Sequence, residues 1–100
     1  MEEELKSYRN QIDFIDDKIL FYLRERIIIS NKIGKIKHKL NSDIYNENRE
    51  KEILNNLYIQ NNKMQANSIA NPFKIAERFI KVIWETIFNH SKLIQENNIF

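Results

Sequence analysis

The chain has 100 residues, of which 42% are hydrophobic and 30% are charged, and its formal net charge at pH 7 is +2. This length and composition are typical of one small globular domain, here residues 1–100, and not of a disordered chain. The net charge is too small to indicate a nucleic acid or an anionic membrane surface as a partner.

Three further features bear on where the protein works. The chain contains no cysteine, which excludes disulfides and thiolate chemistry. Its opening residues, MEEELKSYRN, are acidic and polar and lack the basic and apolar blocks of a secretory signal. No apolar run approaches the ~20 residues that a bilayer-spanning helix needs. We therefore expect a cytoplasmic protein that does not engage a membrane.

The first predicted element is a helix over about residues 3–40. Its apolar and aromatic residues recur in alternating steps of three and four, the heptad spacing of a helix that packs along its length against a partner. This heptad seam consists of Leu5, Tyr8, Ile12, Ile15, Ile19, Tyr22, Arg26, Ile29, Ile33, Ile36 and Leu40. Gly34, the single glycine of the chain, lies within the helix and is tolerated there at about 1 kcal/mol relative to alanine.

A helix of that length would measure about 55 Å from end to end. Two shorter helices of the same chain cannot cover a seam so long, and a second copy of the chain is the simplest cover. The pattern therefore predicts a homodimer.

The second predicted helix spans about residues 46–63. Residues 41–46 interrupt the helical pattern, and Asn46 suits the N-cap position that follows them. Apolar side chains then fall on one face of the helix, namely Ile53, Leu54, Leu57 and Tyr58.

The third predicted helix spans about residues 72–96. Asn71 and Pro72 form a cap followed by a first-turn proline. The apolar stripe of this helix comprises Ala76, Ile80, Ile83, Ile87 and Ile94. Because the period is helical throughout, and one glycine and one proline provide few turns, the sequence predicts an all-α fold.

Arg26 places a permanent cation in the middle of the heptad seam. A buried guanidinium needs an anion, because leaving it unpaired costs several kcal/mol. The sequence leaves two interpretations open: an internal ion pair with Asp16, Glu25 or Glu50, or an anionic ligand. Lys37 lies on the same helix face about 16 Å further along, so the two cations could hold a small dianion between them. Alone, however, Lys37 is equally typical of a surface lysine.

Other polar residues are ambiguous in the same way. Arg9 lies about 25 Å before Arg26 and about 100° around the helix, so it is a surface charge unless an antiparallel partner helix brings it near. Arg49 stands in the first turn of the second helix, where a cation needs a specific anion or is simply solvated. Ser91 and Gln95 extend an apolar face of the third helix, which indicates either an interior hydrogen-bonding site or a fraying stripe.

The sequence contains no metal-ligand spacing, glycine-rich phosphate loop, Ser/His/Asp set or Cys/His set. His38 and His90 stand alone and are typical of surface residues. If the protein is an enzyme, its cations, single carboxylate and amide or hydroxyl donors suit binding and charge stabilisation better than covalent catalysis.

Three segments together resemble the all-α class of chorismate mutases. They are YRNQIDFIDDKILFYLRERIIISNKIGKIK, IYNENREKEIL and IFNHSKLIQ. In that family the first helix has an R-x-x-I-D-x-I-D opening, a seam arginine and a G-K-x-K ending. A D-x-x-R-E turn opens the second helix, and an S-x-x-x-Q pair lies near the end of the third.

The resemblance implies roles for individual residues. Arg26 and, from the partner subunit, Arg9 would hold the carboxylates of the substrate. Lys37 and Gln95 would donate hydrogen bonds to the ether oxygen of the breaking bond. Glu50 would accept a hydrogen bond from the ring hydroxyl.

Arg49 and Ser91 would complete the shell that binds the carboxylates. The aspartate that usually precedes the R-E pair is Asn46 here, which keeps a possible cap but removes a charge. A gapless alignment would put His90 in the place of Gln95, whereas the S-x-x-x-Q motif favours Gln95.

The implied protein is an intertwined helical-bundle homodimer with shared active sites. It would convert chorismate to prephenate, for phenylalanine and tyrosine, without a cofactor, a metal or a nucleic acid. One alternative is an isochorismate pyruvate-lyase of the same fold. Another is a non-enzymatic helical dimerisation or nucleic-acid-binding module, for which KIGKIKHK would be the basic stretch.

Overall fold

The structure, a computed structural model, describes residues 1–66 and 75–97. It contains three helices, α1 (Glu2–Leu40), α2 (Glu47–Ala66) and α3 (Glu77–Asn97). No strand occurs among the described residues. The all-α fold predicted from the hydrophobic period is therefore confirmed.

The ends of α1 follow from the charges and the backbone geometry there. Acidic residues occupy its first turn and basic residues its last turn, and each group complements the helix dipole at that end. Asn41 then adopts a left-handed conformation with φ of 53°, which asparagine tolerates better than most residues. The Ser42 N–H bonds back to the Lys37 carbonyl at 2.8 Å, which closes a Schellman turn and stops the helix where the sequence predicted.

The contact between α1 and α3 depends on Gly34. A Cβ atom at this position would lie 2.7 Å from the Cα and 2.9 Å from the carbonyl oxygen of Gln95, closer than real Cβ atoms approach. The absence of a side chain therefore lets the two backbones meet. Among the described residues, the buried apolar core lies on α3 and consists of Ile80, Phe88 and Ile94.

The cap predicted for α2 is confirmed. The Asn46 side-chain Oδ1 accepts a hydrogen bond from the Arg49 N–H at 3.0 Å, and α2 begins at Glu47. The helix continues to Ala66, three residues past the prediction, since methionine, glutamine and alanine all favour helix. Buried Asn61 joins its last turns to the chain before α3 through a 2.8 Å hydrogen bond to the Ile75 carbonyl.

The start of α3 differs from the prediction. Asn71 and Pro72, the predicted cap and first residue, lie outside the described residues. Ile75 and Ala76 are described but not helical, so a helix running from residue 72 is wrong at those two positions. The Ala76 carbonyl accepts bonds from Phe79 and Ile80, which makes Glu77 the first helical residue.

The N-terminal half of α1 extends away from the rest of the chain. Every residue from 1 to 25 is exposed, and the seam residues Ile12, Ile15 and Ile19 each leave more than half of their surface uncovered. The molecule is consequently elongated, with a longest dimension of 57 Å. None of the described helices is both long and apolar enough to cross a membrane.

Candidate functional site

The polar residues singled out from the sequence surround one cavity of about 430 Å³, which has walls from α1, α2, α3 and residues 41–46. Seven of the residues that the sequence analysis selected line this cavity: Arg26, Lys37, Asn46, Arg49, Glu50, Ser91 and Gln95. The remaining wall is largely apolar, as in most small-molecule sites. The three helices thus bring together seven residues from distant parts of the chain.

Arg26 is a half-buried cation on the α1 wall. Its guanidinium carbon lies 5.9 Å from the centroid of the buried Phe88 ring. Desolvation lowers the pKa of Arg26, and the nearby positive charge of Arg49 lowers it further. None of the ion pairs between described residues includes Arg26, so the predicted internal pair with Asp16, Glu25 or Glu50 is not formed.

Lys37 lies near the end of α1 and is partly buried against the same cavity. Its ammonium donates a 2.8 Å hydrogen bond to the Ile44 carbonyl in the segment that leads to α2. This bond holds the charged head at the cavity wall. The side chain of Lys37 therefore ends at the cavity and at a backbone carbonyl, and does not extend to solvent as the surface-lysine alternative would have it.

Ser91 and Gln95 on α3 form a hydrogen-bonded group inside the protein. The Ser91 hydroxyl lies 2.8 Å from the Ser30 hydroxyl of α1 and accepts a 3.1 Å hydrogen bond from the Gln95 side-chain nitrogen. The other atom of the Gln95 amide, Oε1, is buried and has no hydrogen-bond partner in the described part of the chain. The predicted interior hydrogen bonding is thus present, and one amide oxygen faces no protein donor.

His90 does not line this cavity. It borders a second, more apolar cavity of about 690 Å³ between α1 and α3, which shares Arg26, Ser30 and Ser91 with the first. Of the two residues, only Gln95 lies in the cavity that also contains Lys37 and Arg49, which is the arrangement that the S-x-x-x-Q motif favours.

The first turn of α2 contributes both a cation and the carboxylate of the cavity. The Arg49 guanidinium is more than half exposed and pairs with Glu52, its neighbour one turn along the helix. Glu50 turns toward α3, where its Oε2 lies 3.3 Å from the Lys92 ammonium. Arg49 thus behaves partly as the solvated charge that the sequence also allowed.

Two lining residues, Ser30 and Lys92, were missed by sequence reasoning. Ser30 follows Arg26 by four residues, a spacing that places both on one helix face and could have identified it. Lys92 had no comparable signal, because its position depends on how α3 packs against α2.

Arg9 does not contribute to the cavity of its own chain. It lies on the exposed N-terminal half of α1, about 25 Å along the axis from Arg26. Only another molecule could bring an Arg9 side chain to this site.

The chemistry of the cavity suits a small dianion. Four cationic side chains line it, from Arg26, Lys37, Arg49 and Lys92, against the single carboxylate of Glu50. Guanidinium groups can bind carboxylates through two parallel hydrogen bonds, and a lysine ammonium supplies a concentrated positive charge. No group of three potential metal-binding side chains occurs in the described ranges.

Comparison with known proteins yields a matching family and a related protein. A family model described as "Chorismate mutase type II" matches residues 8–96. The chain is also 49% identical over 51 residues to a "Bifunctional chorismate mutase/prephenate dehydratase" of Aquifex aeolicus (strain VF5). That alignment covers 51% of this chain and 14% of the relative, so the relative is much the longer protein. No solved structure matches the chain significantly.

Proposed function

Because the chain belongs to the chorismate mutase type II family, we propose that it catalyses the [3,3] rearrangement of chorismate to prephenate. Prephenate would serve phenylalanine and tyrosine synthesis, in the cytoplasm. The observation that carries the proposal is the half-buried Arg26, which has no ion-pair partner among the described residues and faces a cavity that also contains Lys37 and Gln95. A substrate carboxylate would supply the missing anion.

The first task of such a site is to select one conformer of the substrate. The reaction is unimolecular and needs a flexible dianion held compactly, with the two bond-forming carbons close together. Arg26 from α1 and Arg49 from α2 would each bind a carboxylate oxygen, and the Ser91 hydroxyl would add a donor. The apolar wall, which includes Phe88, would pack against the substrate and disfavour conformers in which its side chain extends away from the ring.

The second task is to stabilise the negative charge that grows on the ether oxygen as its bond to carbon lengthens. The Lys37 ammonium donates one N–H to the Ile44 carbonyl, and its other two N–H groups would be available to the substrate. The Gln95 amide donates one N–H to the Ser91 hydroxyl, and its second N–H would be available to the substrate. Donors that are oriented before the reaction stabilise the charge that develops in the transition state and so lower the activation barrier.

The dimer is a further part of the proposal. The exposed seam of α1 needs a cover, and an antiparallel second copy would bring its Arg9 toward the Arg26 cavity. Two inactive variants, Arg9→Ala and Arg26→Ala, should then regenerate one intact site per heterodimer when they are mixed and refolded. A mixture that stays inactive, although its subunits demonstrably exchange, would show that the sites are not shared.

The decisive experiment supplies chorismate to the purified protein, follows its loss by absorbance and identifies the product by chromatography. Isochorismate is tested in parallel. Prephenate should form, and the rate should collapse in Arg26→Ala but not in Arg78→Ala, which removes an exposed arginine of α3 outside the cavity.

Other outcomes would overturn the proposal. Pyruvate released from isochorismate, with little prephenate from chorismate, would identify the lyase. A folded protein that turns over neither compound would point to a cavity for another anion.

A further inference from the structure

The ion pair between Lys92 and Glu50 differs from the other ion pairs of the described chain. The others join neighbouring turns of one helix, and their side chains are more than half exposed. Lys92 and Glu50 join α3 to α2 at 3.3 Å, with only 27% and 25% of their side chains exposed. The Lys92 ammonium also lies 4.6 Å from the centroid of the Tyr45 ring. Two contacts therefore fix this lysine at the cavity wall.

The pair determines which part of Glu50 is available to a ligand. Lys92 engages Oε2, so Oε1, which the lysine does not engage, is the better placed oxygen to accept a hydrogen bond from a substrate hydroxyl. An ammonium that is held by both a carboxylate and an aromatic face has less freedom than a solvated lysine. Lys92 would thus keep the carboxylate in one orientation.

We propose that Lys92 is a positioning residue that acts through Glu50 and sets where the site accepts the ring hydroxyl of its substrate. This inference rests on the proposed function. It makes the α3 lysine a determinant of specificity for the position of that hydroxyl. Although Lys92 lines the cavity, its effect on the reaction would pass through the Glu50 carboxylate.

A double-mutant cycle tests the inference. Lys92→Met removes the charge but retains most of the stem, and should lower kcat/KM about tenfold, the effect of one charge-assisted hydrogen bond. In a Glu50→Gln background the same change should lower kcat/KM by less than about twofold, because the effects of residues that act through one another are not additive. Lys92→Arg, which keeps the charge, should recover most of the loss.

Two controls make the result specific. Lys81→Met removes a lysine from α3 whose ion pair with Glu85 is exposed and outside the cavity, and it should leave kcat/KM unchanged. With a substrate analogue that lacks the ring hydroxyl, wild type and Lys92→Met should react at similar rates. This second comparison does not depend on residual activity of Glu50→Gln.

Three outcomes would overturn the inference. If Lys92→Met lowers kcat/KM equally in the wild-type and the Glu50→Gln backgrounds, then Lys92 contacts the substrate directly. Unchanged kinetics together with a lower melting temperature would assign it a structural role alone. A wild-type chain that does not rearrange chorismate refutes the proposed function itself, which this inference requires, and the wild-type rate distinguishes that case from the other two.

Discussion

Replacing Gly34 by alanine sets two effects against each other. In an exposed helix the change would stabilise the protein by about 1 kcal/mol, because alanine favours helix over glycine. Here the new Cβ atom would stand 2.7 Å from Gln95 Cα, and ordinary contact begins at 3.4 Å. The helices α1 and α3 must therefore separate locally by about 0.7 Å. The atoms in the way are mostly backbone and cannot rotate aside.

Overpacking of this kind typically costs about 1–3 kcal/mol. After subtraction of the helix preference, we expect a net loss of about 1 kcal/mol, which lowers the melting temperature by about 4–8 °C for a chain of this size. The effect on catalysis should be larger. Gln95 moves away from the α1 wall that holds Lys37, and a displacement approaching 1 Å can cost about tenfold to a hundredfold in rate.

Thermal unfolding at fixed protein concentration and steady-state kinetics with chorismate measure the two effects separately. Lys35→Ala, a change one residue further along at an exposed position that does not line the cavity, is the matched control. A Gly34→Ala protein that melts higher than wild type and retains its full rate would refute the close approach of α1 and α3 at Gln95.

Substitutions at three other positions test the site in different ways. Lys37→Ala should lower kcat about a hundredfold with little change in KM, and a rise in KM alone would contradict its contact with the ether oxygen. Arg26→Met should leave the ligand-free protein at least as stable, since the desolvated charge is removed. It should also abolish the rise in melting temperature that we expect prephenate to produce in wild type, whereas a marked loss of stability without ligand would contradict the absence of an ion pair at Arg26 among the described residues. Asn46→Ala should cost about 1 kcal/mol of stability through loss of the α2 cap, and Asn46→Asp, which keeps an acceptor and adds a favourable charge at the helix start, should match or exceed the wild-type melting temperature.

The elements that the sequence predicted well are those whose cause is local. The bounds of α1 follow from its periodic apolar residues and from the turn at Asn41, and the start of α2 follows from the Asn46 cap. The seam arginine was recognised because a cation interrupts an otherwise apolar repeat. Each of these signals is contained within a few turns of one helix.

The features that depend on helix packing could not be predicted in the same way. Helix preference alone assigned Gly34 an energetic cost and did not show that it makes room for the Gln95 backbone. Nothing near Gly34 in the sequence indicates that α3 approaches there. Lys92 was overlooked since its partner Glu50 is on another helix. The choice between an ion pair and a ligand at Arg26 likewise required the positions of the surrounding carboxylates.

The hydrogen bond from Lys37 to the Ile44 carbonyl has a consequence for conformational entropy. A free lysine side chain has about 2 kcal/mol of rotational freedom, much of which a ligand must remove when it immobilises the ammonium. In this protein much of that freedom is lost when residues 41–46 fold against the end of α1. Substrate binding would then meet a charge that is already in place, and any fluctuation that loosens residues 41–46 would weaken affinity by returning that freedom to the lysine.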